Sequence, residues 1–159
     1  MAKKTLIAYF SISGTTARVA KFLSNFVEGD LYEIKAAQPY SKKDLDWHDK
    51  TSRSTVEMQD TAARPAIDGT VPNMEEYEVV FVGFPIWWYL APRIINTFLE
   101  SYDLSGKIVV PFCTSGGSDV GKTNEYLQPS CKGAVLKPAR CLNKVTRDMV
   151  SRWLDGLKL

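Results

Sequence analysis

Leu6-Ile7-Ala8-Tyr9-Phe10, followed at once by Ser11-Ile12-Ser13-Gly14-Thr15-Thr16, decides how this chain is read. The first five residues are apolar and describe a strand covered on both faces. The next six are mostly small and hydroxylated. Residues 16–27 then carry apolar side chains at Ala17, Ala20, Phe22, Leu23, Phe26 and Val27, which is helical spacing, with Gly29 as a plausible stop. A strand that ends in a hydroxyl-rich turn and feeds a helix makes an anion site, because the helix N-terminus presents unpaired N–H groups and the positive end of its dipole. Ser11, Ser13, Thr15 and Thr16 add hydroxyl donors, and Gly14 permits a tight turn. No Lys or Arg lies in residues 11–16, so an anion there would be held by neutral dipoles. An ordinary helix cap needs one hydroxyl; this stretch offers four.

The totals narrow the class. A chain of 159 residues predicts one domain with a real core, spanning residues 1–159. A net charge of +2 without blocks of like charge gives no reason to expect nucleic acid as a partner. No apolar run reaches the ~18–20 residues of a membrane span, so no membrane partner is expected. The opening Met1-Ala2-Lys3-Lys4 before an apolar run has the outline of a leader, but the run is too short. Cys113, Cys131 and Cys141 form no CxxC pair and are odd in number, which predicts reduced thiols and a cytoplasmic location. His48 is the sole histidine, which excludes a multi-histidine metal site.

Further along, residues 30–34 alternate like a strand near a sheet edge. Residues 44–60 are polar with scattered apolar positions and read as a solvated helix, followed by a loop over 65–72. Residues 79–83 and 107–112 are apolar strands, 92–102 and 146–157 are amphipathic helices, 123–127 begins another helix, and Val135-Leu136 is the core of a short strand. Strands alternate with helices five times, and the strands are apolar throughout. That pattern predicts an α/β fold, a three-layer, doubly wound sandwich with a parallel sheet. Ligands in such folds sit beyond the carboxyl ends of the strands, where three unusual loops should converge: residues 11–16, 84–90 and 114–121.

The second loop contains Pro85-Ile86-Trp87-Trp88-Tyr89. Three consecutive aromatics past a strand end are hard to bury together, so at least one ring should reach the pocket rim, where it would suit a flat heteroaromatic ligand. Packing against a helix or a dimer contact is the alternative use of such rings. The third loop, Thr114-Ser115-Gly116-Gly117-Ser118, offers small residues and main-chain donors. Overlapping it, Gly116 to Thr123 fits the nucleotide-binding pattern GxxxxGK[ST]. A P-loop nucleotide-binding protein is therefore a remote alternative. It lacks a further strand ending in a magnesium-holding Asp and leaves the first two loops unexplained. A cysteine phosphatase needs Arg six residues after its nucleophile, where Cys113 has Asp119; a phospho-accepting receiver needs acidic residues where Phe10-Ser11 stand.

Taken together, Tyr9-Phe10-Ser11-x-Ser13-Gly14-Thr15-Thr16, Gly83-Phe84-Pro85-Ile86-Trp87-Trp88 and Thr114-Ser115-Gly116-Gly117 resemble the flavodoxin family, closest to its short single-domain bacterial members. The resemblance runs in order along nearly the whole chain. It implies a five-stranded parallel sheet of order 2-1-3-4-5 and one noncovalent FMN. Ser11, Ser13, Gly14, Thr15 and Thr16 would hold the FMN phosphate; Pro85, Ile86, Trp87, Trp88 and Tyr89, with Thr114, Ser115, Gly116, Gly117 and Ser118, would flank the ring. Well-studied flavodoxins are strongly acidic, whereas this chain is slightly basic, and residues 133–142 leave no room for the long insertion some members carry in the last strand.

The function so implied is electron transfer through FMN, either between the chain and a redox partner protein or, as an FMN-dependent NAD(P)H oxidoreductase, to a quinone or similar small acceptor. No side chain stands out as a catalytic acid, base or nucleophile. The second activity needs open space over the ring, walled by a lid or a homodimer partner. Residues 41–68, with Trp47 and His48, could form that lid; a solvated crossover is the simpler reading of so polar a segment.

Overall fold

The computed structural model describes residues 4–159. Residues 1–3, part of the stretch weighed as a leader, lie outside the described residues. The chain runs β1 (Thr5–Tyr9), α1 (Thr15–Leu23), β2 (Asp30–Glu33), β3 (Lys35–Ala36), α2 (Arg53–Gln59), β4 (Ile67–Asp68), β5 (Val79–Pro85), α3 (Arg93–Glu100), β6 (Ile108–Thr114), α4 (Thr123–Leu127), β7 (Val135–Leu136), β8 (Arg140–Cys141) and α5 (Arg147–Leu157).

The main sheet is parallel, in the order β2-β1-β5-β6-β7, with β8 also paired to β6. Counted over the five principal strands this is 2-1-3-4-5. The fifth strand is broken into two-residue pieces, β7 and β8. Asn124 of α4 bridges the break: its amide nitrogen donates to the Lys137 carbonyl at 3.0 Å, and its oxygen accepts from the Ala139 N–H at 2.8 Å.

Successive residues of the central strands feed opposite layers, which is why these strands are apolar without alternation. Leu6, Ala8, Val80, Val82 and Phe84 enter one core with Ile94, Ile95 and Phe98 of α3 and Leu127 of α4. Ile7, Val79, Phe81, Val110 and Phe112 enter the other with Val19, Ala20 and Leu23 of α1 and Val150, Trp153 and Leu157 of α5. Burying side chains of this size contributes roughly 1.5–3 kcal/mol each. Side-chain caps start two helices: Ser52 accepts from the Thr55 N–H of α2, and Thr146 from the Met149 N–H of α5.

Several elements differ from expectation. Helix α1 stops at Leu23, where the N–H groups of both Phe26 and Val27 turn back to the Leu23 carbonyl. Gly29 is not that stop; a Cβ there would lie 2.9 Å from the Thr5 carbonyl oxygen, so it serves the close approach to β1. The solvated helix expected over 44–60 is short: residues 42–51 form turns, and only Arg53–Gln59 is helical. The loop expected over 65–72 contains β4, which pairs antiparallel with β3 through Lys35 with Asp68 and Ala36 with Ile67.

Candidate functional site

The strand ends bring all three unusual loops to one edge. The Phe10 N–H donates to the Gly83 carbonyl at 2.8 Å, tying β1 to β5 just before the first loop opens. Gly14 caps α1 with φ of 94°, a left-handed conformation natural to glycine. It offers no capping side chain, and the first turn of α1 contains no acidic residue. Ser11 Oγ accepts from the Ala17 N–H at 3.1 Å, while Thr15 and Thr16 open the helix with amides that have no intrahelical partner. The four hydroxyls thus divide. Ser11 is spent on the helix, and Thr16, only 2% exposed, places Oγ1 2.8 Å from Thr114 Oγ1, pinning the first loop to the third. Ser13 and Thr15 stay exposed, their hydroxyl oxygens 3.1 Å apart.

The second loop is a tight hairpin. Trp87 and Leu90 exchange two backbone hydrogen bonds, 2.9 and 3.0 Å, around Trp88 and Tyr89. Both central residues are left-handed, with φ of 49° and 63°. This is the both-positive pattern of a type I′ turn, which ordinarily selects Asn-Gly. For bulky L-residues it costs roughly 1–2 kcal/mol each. The rings separate accordingly. Trp87 turns inward, edge-on to Phe10 and Tyr40 at 5.9 and 5.4 Å between ring centres. Trp88 and Tyr89 remain 41% and 64% exposed at the rim.

The GxxxxGK[ST] match finds its structural use against this turn. A Cβ on Gly121 would sit 2.5 Å from the Tyr89 carbonyl oxygen, so only glycine allows the segment to pack there. Thr123 is fully buried; its hydroxyl donates to the Val120 carbonyl and reaches the Tyr89 carbonyl at 3.5 Å. Its hydroxyl is committed to the backbone, so it is not placed as a magnesium ligand. The third loop is shaped by Ser115, whose N–H donates to Asn143 Oδ1 at 2.6 Å and whose hydroxyl donates to the Ser118 carbonyl at 2.6 Å. Asn143 Nδ2 donates back to Ser115 Oγ at 3.1 Å, a support that no motif in the sequence flagged. Gly116 faces open space.

Residues 41–68 complete the site. Leu45, Trp47 and Ser54 border the same cavity as Ser13, the Pro85 to Tyr89 loop, Gly116 and Ser118; its volume is about 670 Å³. The segment therefore contributes Leu45, Trp47 and Ser54 to the wall, while most of residues 41–51 are exposed as a solvated crossover would be. Its position is fixed at both ends of α2. Arg53 stacks 3.8 Å over the Tyr40 ring, donates to Glu57 at 3.0 Å and to the Gln38 carbonyl at 2.7 Å. Arg93 donates to the Met58 carbonyl at 2.8 Å. Burial, and then the bond to Glu57, pushes the Tyr40 hydroxyl far above its ordinary pKa, so it stays a donor. Trp47 stacks on His48 at 3.7 Å and is largely exposed.

Ser54 is the residue that sequence reasoning missed. It is 2% exposed, yet its Oγ has no hydrogen-bond partner, and the residue lines the cavity. A buried hydroxyl without a partner costs free energy unless a ligand satisfies it. A single small polar residue carries no periodic signal that would have marked it. No charged residue lines the cavity, and no cluster of metal-ligating side chains occurs among the described residues. No helix among them is long and apolar enough to cross a membrane.

Gly14 and two amides without intrahelical partners at one end of the loop edge, a strained aromatic turn at the other and a parallel 2-1-3-4-5 sheet beneath describe a flavodoxin-like fold. The chain belongs to the flavodoxin family: the family model described as Flavodoxin matches residues 4–157. Among solved structures, a candidate flavoprotein from Bacteroides eggerthii is 51% identical with a TM-score of 0.95, the match covering 99% of both chains. Another, from Bacteroides uniformis, is 49% identical with a TM-score of 0.91, covering 98% of this chain and 99% of that one. A Lactobacillus acidophilus flavoprotein solved in complex with FMN shares the fold at 23% identity and a TM-score of 0.74, covering 99% of this chain and all of that one. A search of curated proteins finds no match to the sequence.

Proposed function

We propose that this protein binds one FMN noncovalently and transfers electrons through it. The observation that carries the reading is that all three loops and the 41–68 segment border one uncharged cavity containing an unpartnered buried hydroxyl, Ser54 Oγ. The residues present fit the group. The free amides at the start of α1, with Ser13 and Thr15, suit a phosphate held by neutral donors. Trp88 and Tyr89 suit a flat ring, and Ser54 suits one of its polar atoms or those of the linking chain. FMN supplies the electron chemistry when bound, and the chain supplies binding, orientation and electrostatics.

The protein's own part follows from its side chains. Trp88, Tyr89 and Trp47 supply apolar ring surface to the cavity wall. An uncharged wall disfavours additional negative charge in it. The strained turn holds Trp88 and Tyr89 side by side on the cavity wall, with the Tyr89 carbonyl packed on Gly121 and reached by the Thr123 hydroxyl. The electron acceptor is a redox partner protein that docks on the loop edge. A second reading, an NAD(P)H oxidoreductase acting on a quinone-like acceptor, gains from Leu45 and Trp47, which wall a space large enough for a second planar molecule. The protein acts as a monomer or homodimer in the cytoplasm.

The first test is spectroscopic. Stripped protein titrated with FMN should quench flavin fluorescence and shift its absorbance; unchanged fluorescence at saturating protein would refute the reading. Stopped-flow reduction by NADH or NADPH without a partner then separates the two acceptors. Slow reduction favours the carrier, and fast reduction followed by quinone turnover favours the oxidoreductase.

A further inference from the structure

The register of the split fifth strand places Cys113 of β6 directly opposite Cys141 of β8. Neighbouring strands run about 4.8 Å apart, inside the window of Cα separations that a disulfide spans without backbone movement. The two sulfur atoms lie 2.6 Å apart. Cys113 is fully buried, whereas Cys141 is half-buried at the short edge piece β8. Cys131 is buried and has no such neighbour. The three cysteines, expected as reduced thiols, are therefore arranged in space as a pair and a single one.

The pair also touches the site. Cys141 Sγ donates to the Ser118 carbonyl at 3.6 Å, and Ser118 borders the cavity. Cys113 directly precedes Thr114, whose hydroxyl meets Thr16 and whose carbonyl accepts from the Ile86 N–H at 2.8 Å. The pair thus adjoins the third loop directly and, through Thr114, lies next to the bonds that join it to the other two.

We propose that Cys113 and Cys141 are a reversible dithiol/disulfide couple, oxidised by a low-molecular-weight disulfide. The Cys141 thiolate, at the accessible position, attacks one sulfur of the reagent and expels its other half as a thiolate. Cys113 then attacks the Cys141 sulfur, forming the intramolecular bond and expelling the second half. The two thiol protons leave with the two expelled halves, so the protein loses two electrons and two protons and the reagent is reduced to two thiols. Burial, reinforced by Cys141 beside it, pushes the Cys113 thiol up, so the first attack falls to Cys141 at the more accessible position. Oxidation removes the S–H donor to Ser118 and ties β8 to β6, which are otherwise held by two register pairs.

The test does not depend on the flavin reading. The full chain, stripped of any bound group, is equilibrated with glutathione at increasing oxidised-to-reduced ratios, quenched in acid, alkylated under denaturing conditions and mapped by mass spectrometry. One intramolecular Cys113–Cys141 disulfide, with Cys131 alkylated throughout, is expected. Excess reduced glutathione should reverse it, Cys131→Ser should leave the transition in place, and Cys141→Ser should abolish it. Three alkylated cysteines at the most oxidising ratio, a bond to Cys131, or glutathione retained on Cys141 would each overturn the proposal. A second readout is FMN affinity, expected to differ about two- to fivefold between the two forms through the lost contact to Ser118. Equal affinity would sever the pair from the site, whereas no FMN binding by either form would instead count against the flavin reading.

Discussion

Replacing Trp88 and Tyr89 together by Asn and Gly should make the protein more stable and worse at holding flavin. Both residues sit in left-handed backbone, with φ of 49° and 63°. That conformation costs an L-residue roughly 1–2 kcal/mol, about 2–4 kcal/mol for the pair. Asn-Gly adopts it readily. Against this gain stand the extra unfolded-state freedom of glycine, about 0.5–1 kcal/mol, and the partial burial of Trp88, which is 41% exposed, for about another 1 kcal/mol. The net expectation is a stabilisation centred on about 1 kcal/mol and reaching at most about 2.5 kcal/mol, or about 2–10 °C in Tm for a chain of this size. Aromatic contacts contribute about 0.5–1.5 kcal/mol each, so FMN binding should weaken roughly five- to a hundredfold. Thermal unfolding of the stripped protein measures the first effect and fluorescence titration with FMN the second. A variant that is no more stable and binds FMN as before would show that the turn is neither strained nor part of the site.

Three further outcomes follow from individual residues. Thr15→Asp at the start of α1 should weaken FMN far more than riboflavin in paired fluorescence titrations; equal losses would place the phosphate elsewhere. Ser54→Ala removes the buried hydroxyl that has no partner; stripped protein should gain about 1 kcal/mol or more in urea unfolding, while FMN affinity falls about two- to tenfold. Tyr77 donates to Asp30 at 2.6 Å, and this bond, then burial, raises its hydroxyl from 10.0 to about 12. The folded state holds that proton more tightly than the unfolded chain, so this stability is intact below pH 10 and declines as pH rises toward about 12. Tyr77→Phe should flatten that decline in urea unfolding followed across the alkaline range.

What could be read from the sequence was whatever repeats or concentrates. Apolar runs such as Leu6 to Phe10 and Val79 to Gly83 announce strands covered on both faces, and their alternation with helices leads to the observed parallel three-layer sandwich, while the strand order came only with the family resemblance. The three loops were legible because hydroxyls, aromatics and glycines cluster at strand ends. The 39–72 segment was not, since β3 and β4 are two residues each and α2 is held by the side-chain contacts of Arg53 and Arg93, which no apolar periodicity announces. The division of labour among the hydroxyls was hidden too: Thr16 reads like its neighbours, but it meets Thr114, 98 residues away. The cysteine pair depends on strand register, which no local pattern encodes.

The broken fifth strand has a bearing on how copies of this protein meet. Sheet margins are templates on which another chain can extend the ladder, and long flat ones invite fibrous association. Here that margin consists of two-residue fragments with Pro138 between them, and the polar backbone groups at the gap are already taken by the Asn124 amide. A second molecule finds no continuous row to add to on this side. Lateral growth of the sheet is disfavoured on this side by the short pieces, Pro138 and the Asn124 amide of α4 acting together.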